Sequence, residues 1–112
     1  MENNLNWPDF EKVEMRVGTI LEVQDFPEAR KPAYKLTIDF GINIGILKSS
    51  AQITKCYSKN DLIGKQIIAV VNLPRKQIGK FNSDCLVLGF SNNDAVILLT
   101  PETNVENGSI IS

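Results

Sequence analysis

The sequence predicts an all-β protein whose short strands form a small closed barrel. Apolar residues recur at every second position in several runs, glycine and proline separate these runs, and only a few turns have helical spacing. The length of 112 residues and the hydrophobic fraction of 43% suit one core, so we expect a single domain over residues 1–112. A β-sandwich is the alternative architecture, because the number of strands alone does not separate the two.

The first predicted elements are a short helix and a long strand. Residues 6–12 predict the helix, because Asn6 can cap it and Pro8 suits its first turn. Residues 13–23 alternate in hydrophobicity and predict a half-buried strand, in which Gly18 predicts a bulge or a sharp bend.

A hairpin and short helical turns are predicted next. Residues 34–40 alternate again, Gly41 turns the chain, and residues 42–47 return as the second strand of the hairpin. Residues 50–57 and 61–63 are the segments best suited to short helical turns.

The rest of the chain predicts further short strands. Residues 66–72 form a continuous apolar run, which is typical of a strand buried on both faces. Residues 73–82 predict a basic connector, and residues 85–90 and 95–99 predict two more strands. A tight turn at Asn107-Gly108 precedes a short terminal strand. A five-stranded OB-type barrel with short helical turns and additional N- and C-terminal elements fits this order best.

Charge is segregated along the chain although the net charge is only −1. Residues 1–28 carry seven acids and two bases, residues 29–80 carry ten bases and two acids, and residues 81–112 carry four acids and no base. A basic middle segment favours a polyanionic partner, because local charge sets the field at a surface. The alternative is that interleaved strands bring the acidic ends close enough to neutralise the middle.

Two segments of this basic middle contain candidate binding residues. Hydroxyl, amide and ammonium groups after a strand predict a phosphate cradle, formed by Lys48, Ser49, Gln52 and Lys55. The alternative is that Ser49 or Ser50 only caps the following turn while the lysines are solvated.

The basic connector is the more informative segment. Arg75, Lys76 and Lys80 can neutralise phosphates, and its amides can read base edges. Phe81 could stack on a base, but we interpret it as a core residue that closes one end of the barrel. A purely structural alternative is a lysine-rich connector that discourages edge pairing.

Composition argues against catalysis and against metal or cofactor chemistry. The absence of histidine removes histidine bases and ligands, and Cys56 and Cys85 cannot form a zinc site alone. We interpret both cysteines as small apolar residues, and we expect no cofactor and no enzymatic activity.

No stretch approaches the roughly 20 apolar residues of a membrane span, and the acidic start differs from a secretory signal. We therefore expect no membrane insertion and a cytoplasmic location.

Several segments resemble known proteins. Residues 10–20 resemble the opening of the tRNA-binding domain found on some aminoacyl-tRNA synthetases and as stand-alone proteins. Residues 26–30 and 36–41 resemble the CsaA family more closely, and the most specific match is the run Ser49-Ser50-Ala51-Gln52-Ile53-Thr54. Further matches at residues 62–66, 69–72 and 86–89 extend the resemblance to nearly the whole chain.

The resemblance implies a non-catalytic OB-fold homodimer. Proteins similar to CsaA are described as export-related chaperones that bind unfolded or preprotein chains, and their sister domains bind tRNA by shape. Ser83 matches the serine of a Ser-Glu/Asp motif tied to tRNA binding, and Asn72 matches the asparagine that closes the preceding strand. Arg75, Lys76 and Lys80 match the family's basic loop only as a cluster of charge. For the dimer interface we expect the terminal elements that carry Trp7, Phe10 and Ile110.

Two functions remain open from the sequence. In the first, the basic middle segment binds tRNA or other structured RNA, with an affinity that falls steeply with salt. In the second, an apolar groove binds extended polypeptide and the protein is purely a secretion chaperone.

Overall fold

A computed structural model describes residues 4–112, and most of its regular structure is β. Five antiparallel strands, in the order β3-β2-β1-β4-β7, curl into a nearly closed barrel, and β5–β6 and β8–β9 form two separate hairpins. The helices are α1 (Trp7–Glu11) and α2 (Lys59–Leu62), and the strands are β1 (Met15–Asp25), β2 (Tyr34–Asp39), β3 (Ile46–Ala51), β4 (Gln66–Val70), β5 (Lys76–Ile78), β6 (Phe81–Ser83), β7 (Leu86–Val87), β8 (Gly89–Asn92) and β9 (Ala95–Leu98). The predicted all-β class and the OB-type barrel are confirmed.

The core fills the inside of this barrel. Alternate residues of β1 and β2 point inward, and Ile20, Leu36 and Ile38 are almost completely buried. Strand β4 is buried on both faces, as its continuous apolar run predicted. Leu62 of α2 joins the same core.

The predicted bulge in the first strand exists, but not at Gly18. The register of β1 against β2 shifts between Ile20 and Glu22. Gly18 has a different reason to be glycine, since an added Cβ would lie 2.6 Å from Cγ2 of Ile38 and 2.8 Å from the ring of Phe40. The close approach of β1 to the core requires the missing side chain.

Two predicted boundaries between β2 and α2 are wrong. Residues 42–44 form a turn between Gly41 and Gly45, both with positive φ, and β3 begins only at Ile46. Strand β3 then continues to Ala51, so residues 50–51 extend a strand where the sequence predicted a helical turn.

The second half of the chain also differs in detail from the prediction. The basic connector contains the hairpin β5–β6. The strand predicted over residues 85–90 is divided into β7 and β8, and the terminal strand is reduced to one bridge between Arg16 and Ile110.

Side chains complete the seam where β3 meets residues 83–85. The backbone N–H of Asp84 donates to the carbonyl of Lys48 at 2.7 Å, and the Asp84 carboxylate accepts from the Lys48 N–H at 3.3 Å. One residue pair further, the Ser83 hydroxyl oxygen accepts from the N–H of Ser50 at 3.1 Å. The seam is thus closed by backbone and side-chain groups together.

The C-terminal segment is fastened to the outside of the barrel by amide side chains. The Gln66 side chain donates to the carbonyl of Val105 at 2.7 Å and accepts from the Val105 N–H at 3.0 Å. The Asn107 amide oxygen accepts from the Thr19 hydroxyl at 2.8 Å and from Gln66 at 3.1 Å. These bonds hold the segment beside β1 and β4.

Candidate nucleic-acid interface

The hairpin β5–β6 carries two of the predicted cations to the surface. Lys76 opens β5, and Lys80 lies in the turn between β5 and β6 beside Gly79, which has a φ of 61°. The side chains of both lysines are exposed, as is that of Arg75 immediately before β5. A two-residue turn with glycine at positive φ suits a tight hairpin. The hairpin therefore holds Lys76 and Lys80 at the surface.

Arg75 and Lys48 meet at Asp84. The Nε of Arg75 donates to Oδ1 of Asp84 at 2.8 Å, while the other carboxylate oxygen accepts from the backbone N–H of Lys48. The ammonium group of Lys48 is on an exposed side chain of β3. The seam of the barrel therefore brings together cations that are 27 positions apart in the sequence.

Lys35 is a cation of this surface that sequence reasoning missed. Its ammonium nitrogen lies 5.5 Å from the ring centre of Phe26 and 5.9 Å from that of Phe81. The two rings pack edge to face at 5.2 Å, which fits the interpretation of Phe81 as a packing residue. Alternation along β2 was the available signal, because Tyr34 and Leu36 point inward and Lys35 must point outward. We define the basic surface as Lys35, Lys48, Arg75, Lys76 and Lys80.

One groove borders the basic surface at Lys76, and a second groove shares Gln52 with the first. The first, of about 410 Å³, is lined by Gln52, Lys76 and mostly apolar residues that include the exposed Leu73 and Leu86. The second, of about 450 Å³, is lined by Gln52, Lys31 and Lys55, together with Asp94. Gln52 contributes to both grooves, so it shares one groove with Lys76 and the other with Lys55.

Ser49 and Ser83 form hydrogen bonds inside the barrel, and their predicted role as RNA contacts stays a prediction. Ser49 is completely buried, and its hydroxyl donates to the carbonyl of Cys85 at 3.1 Å. Ser83 is also buried and holds the seam through Ser50. Their hydroxyls form hydrogen bonds within the barrel, and Ser83 also lines the first groove.

Asn72 is exposed and binds the segment before β1, and its predicted role in RNA binding stays a prediction. Its amide nitrogen donates to the carbonyl of Lys12 at 2.6 Å, and its amide oxygen accepts from the N–H of Glu14 at 3.0 Å. Both ends of this side chain therefore bind the segment between α1 and β1. Nothing in its contacts connects it to the basic surface.

The predicted interface residues form an apolar surface near the two ends of the described chain. Trp7 is 75% exposed, and its ring packs edge to face with Phe10 at 6.2 Å. A cavity of about 560 Å³ is lined by Leu5, Asn6, Trp7, Phe10 and Ser112. Ile110 is 54% exposed, on the bridge to Arg16. We call Trp7, Phe10 and Ile110 the terminal apolar surface.

Within residues 4–112, no cluster of three or more acidic, cysteine or histidine residues could hold a metal ion. The same residues include no helix long and apolar enough to cross a membrane.

The family model of the putative tRNA-binding domain matches residues 15–110. A solved structure of a CsaA chaperone from Bacillus anthracis is 47% identical, with a TM-score of 0.92, and the match covers 98% of this chain and 100% of that one. A CsaA chaperone protein from Picrophilus torridus is 56% identical with a TM-score of 0.91, over 96% and 99% of the two chains. This chain belongs to the CsaA family of tRNA-binding domains.

Methionine–tRNA ligases, which are much longer proteins, are also similar to this chain. The methionine–tRNA ligase of Thermococcus onnurineus is 34% identical over 107 residues, which are 96% of this chain and 14% of the ligase. The chain thus spans about one seventh of the length of that curated relative. The barrel therefore matches one segment of the ligase.

Proposed function

We propose that this protein binds structured RNA, tRNA first of all, through the basic surface, and that it also acts as an export-related molecular chaperone. The observation that supports RNA binding best is the convergence of cations from β2, β3 and the β5–β6 hairpin on one side of the barrel. In OB-folds the face of strands 2 and 3 and the loop after strand 4 are the usual sites for oligonucleotides. The matched family and the synthetase relatives support the same ligand.

The chemistry of this binding is phosphate neutralisation. Exposed lysines supply mobile point charges, whereas the guanidinium of Arg75 supplies a planar group that can bind two phosphate oxygens. Gln52 and Lys55 extend the site along the two grooves. Shape and backbone contacts suit a structured RNA, because such contacts carry little sequence information.

We further propose that the protein has no catalytic activity of its own. Histidine is absent from the sequence, and burial raises the pKa of the Cys85 thiol to about 12. Such a thiol stays protonated and is a poor nucleophile at neutral pH. These features support a binding role, and the expected cytoplasmic location stays a prediction.

Charge reversal of the hairpin tests RNA binding. We expect Arg75→Glu, Lys76→Glu and Lys80→Glu together to abolish binding of fluorescently labelled tRNA at moderate salt. Where residual binding is measurable, the slope of log affinity against log salt should become shallower by about one unit per lost phosphate contact. The triple variant should stay folded, because exposed charges contribute little to stability.

A charge-matched variant serves as the control. Lys12→Glu, Lys59→Glu and Lys65→Glu change the net charge equally but lie outside the basic surface. If the control loses as much affinity as the hairpin variant, or if the folded hairpin variant binds tRNA as the wild type does, this assignment of the site is wrong.

A purely polypeptide-binding chaperone is the second candidate. The first groove supports it, because Leu73 and Leu86 expose apolar side chains there beside Lys76. Both CsaA structures are named as chaperones. A salt titration of tRNA binding in the presence of an unfolded peptide separates the two. Steep salt dependence without displacement supports RNA binding, and saturable peptide binding without tRNA binding supports the second candidate.

We also propose that the protein is a homodimer in which a second copy covers the terminal apolar surface. An exposed tryptophan beside a phenylalanine is typical of the centre of a protein interface.

A further inference from the structure

We propose that Asp84 is a positioning residue for RNA binding, which holds the guanidinium of Arg75 in the orientation that binds a phosphate. This inference rests on the proposed function, because it concerns the same basic surface. It assigns a favourable role to an acidic side chain in a site for a polyanion.

The Asp84 carboxylate is held by two hydrogen bonds, and the guanidinium of Arg75 is largely exposed. Oδ1 of Asp84 accepts from Nε of Arg75 at 2.8 Å, and Oδ2 accepts from the backbone N–H of Lys48 at 3.3 Å. The Asp84 side chain is only 20% exposed, whereas that of Arg75 is 65% exposed. The carboxylate is further fixed by its own backbone N–H, which binds the carbonyl of Lys48. The seam of the barrel therefore fixes the Asp84 carboxylate, and the carboxylate holds Nε of Arg75.

Because Asp84 binds Nε of Arg75, the other edge of the guanidinium, formed by Nη1 and Nη2, is available for a phosphate. Within residues 4–112, Arg75 has a hydrogen bond only through Nε, so its Nη1 and Nη2 groups can face outward together. A phosphate accepts two parallel N–H bonds from such an edge. Because Asp84 already orders the side chain, less conformational entropy is lost when RNA binds.

Positioning and simple electrostatics predict opposite signs for one substitution. Asp84→Asn preserves the size of the side chain and removes one negative charge from a basic surface. If Asp84 acts only by repelling the negatively charged RNA, this change should tighten tRNA binding. If Asp84 orients Arg75, the change should weaken binding, because a neutral amide has one acceptor oxygen to serve both Arg75 and the Lys48 N–H.

The first measurement is tRNA affinity at fixed salt for a set of variants. We expect Asp84→Asn to weaken binding by about three- to tenfold, which is the size of one ordinary hydrogen bond, because the contact of Arg75 with the phosphate is weakened and not lost. In the Arg75→Ala background the same substitution should leave affinity unchanged or increase it. Glu102→Gln, which neutralises an exposed acid outside the basic surface, is the matched control and should not weaken binding. Tighter binding by Asp84→Asn in the presence of Arg75 overturns the proposal.

The second measurement separates positioning from a loss of stability. The Nε–H of Arg75 should give a side-chain NMR signal with restricted motion in the free wild-type protein, and that restriction should be lost in Asp84→Asn. The barrel should stay folded in Asp84→Asn by circular dichroism. A mobile Nε–H in the wild-type protein overturns the proposal whatever the affinities are.

The two measurements also distinguish this proposal from the proposed function. If the wild-type protein does not bind tRNA, RNA binding and the role of Asp84 in it are both overturned, even when Arg75 is rigid. If Arg75→Ala and Asp84→Asn both leave tRNA affinity unchanged while the hairpin variant loses it, RNA binding stands and Asp84 has no part in it.

Discussion

The two cysteines differ in burial, and this difference determines their chemistry. Cys85 is buried beside the seam, and desolvation, the largest cause, raises the pKa of its thiol from 9.0 to about 12. Cys56 is exposed in the turn after β3. The sequence interpretation of both cysteines as small apolar residues fits the buried Cys85 and does not fit the exposed Cys56. Residue type alone does not show whether a cysteine is buried.

We predict that the two thiols react at very different rates. At pH 8 iodoacetamide should modify Cys56 in the folded protein while Cys85 stays unmodified, because the thiolate is the reacting form. In denaturant both should react. Mass spectrometry of proteolytic fragments over time measures this, and equal rates in the folded protein would contradict the burial of Cys85.

The pKa of Cys85 also makes stability depend on pH at the alkaline end. The folded pKa lies above the unfolded value, so the folded state binds the proton more tightly. This contribution to the free energy of unfolding is fully present below pH 9 and is lost as the pH rises toward 12.

At the level of the elements, Gly18 allows β1 to pass directly over the core. The space that a Cβ would need is occupied by Ile38 and by the ring of Phe40. The neighbouring bulge after Ile20 bends the same strand, so β1 can pair with β2 along one part and with β4 along the other.

We predict that Gly18→Ala destabilises the barrel by about 1–3 kcal/mol, the usual cost of overpacking a core. Denaturant unfolding followed by circular dichroism measures the change. Glu22→Ala is the control, because Glu22 is exposed on the same strand, and its effect should stay within about 0.5 kcal/mol. An unchanged midpoint for Gly18→Ala would mean that the core can move away from β1.

Most elements could be predicted from the sequence, and the three-residue strands could not. Helix α1 follows from capping, strands β1 and β2 from hydrophobic periodicity, and β4 from its continuous apolar run. Periodicity failed after Gly41, because Ile42 is 99% exposed in a turn and an apolar residue there looks like the start of a strand. It also missed β5 and β6, since strands of three residues do not show a period.

The exposure of the cations in the candidate site could be predicted from the sequence, and their partners could not. Arg75, Lys76 and Lys80 are exposed, as the basic composition of the connector indicated. The hydrogen bonds of Ser49 and Asn72 could not be predicted, because they join residues far apart in sequence, which no local pattern records. Asp84 follows Ser83 in the Ser-Glu/Asp motif, but its bond to Arg75 depends on the fold and could not be predicted either.

For the whole molecule, the terminal apolar surface is the feature that bears on assembly. Trp7 and Ile110 come from opposite parts of the described chain, and the bridge to Arg16 and the Asn72 side chain hold their segments against the barrel. A large aromatic side chain left this exposed is typical of a binding surface.

We predict that the protein is a homodimer and that Trp7→Ser dissociates it. A central tryptophan commonly contributes about 2 kcal/mol or more to an interface, which raises the dissociation constant by about 30-fold. Sedimentation at micromolar concentration measures the mass of the particle. Phe90→Ser, at an exposed phenylalanine on β8, is the control and should leave the dimer intact. A wild-type mass of one chain would refute the dimer.

The Gln66 side chain imitates a peptide group, since it donates to and accepts from the same residue, Val105. At Val105 the C-terminal segment is therefore attached by side-chain bonds worth about 0.5–1.5 kcal/mol each, whereas residues 108–111 are attached to β1 by backbone bonds. The part of the segment around Val105 can open locally while β1 stays paired with β4 and with residues 108–111. In native-state hydrogen exchange, the amide of Val105 should then belong to an opening unit separate from that of the barrel.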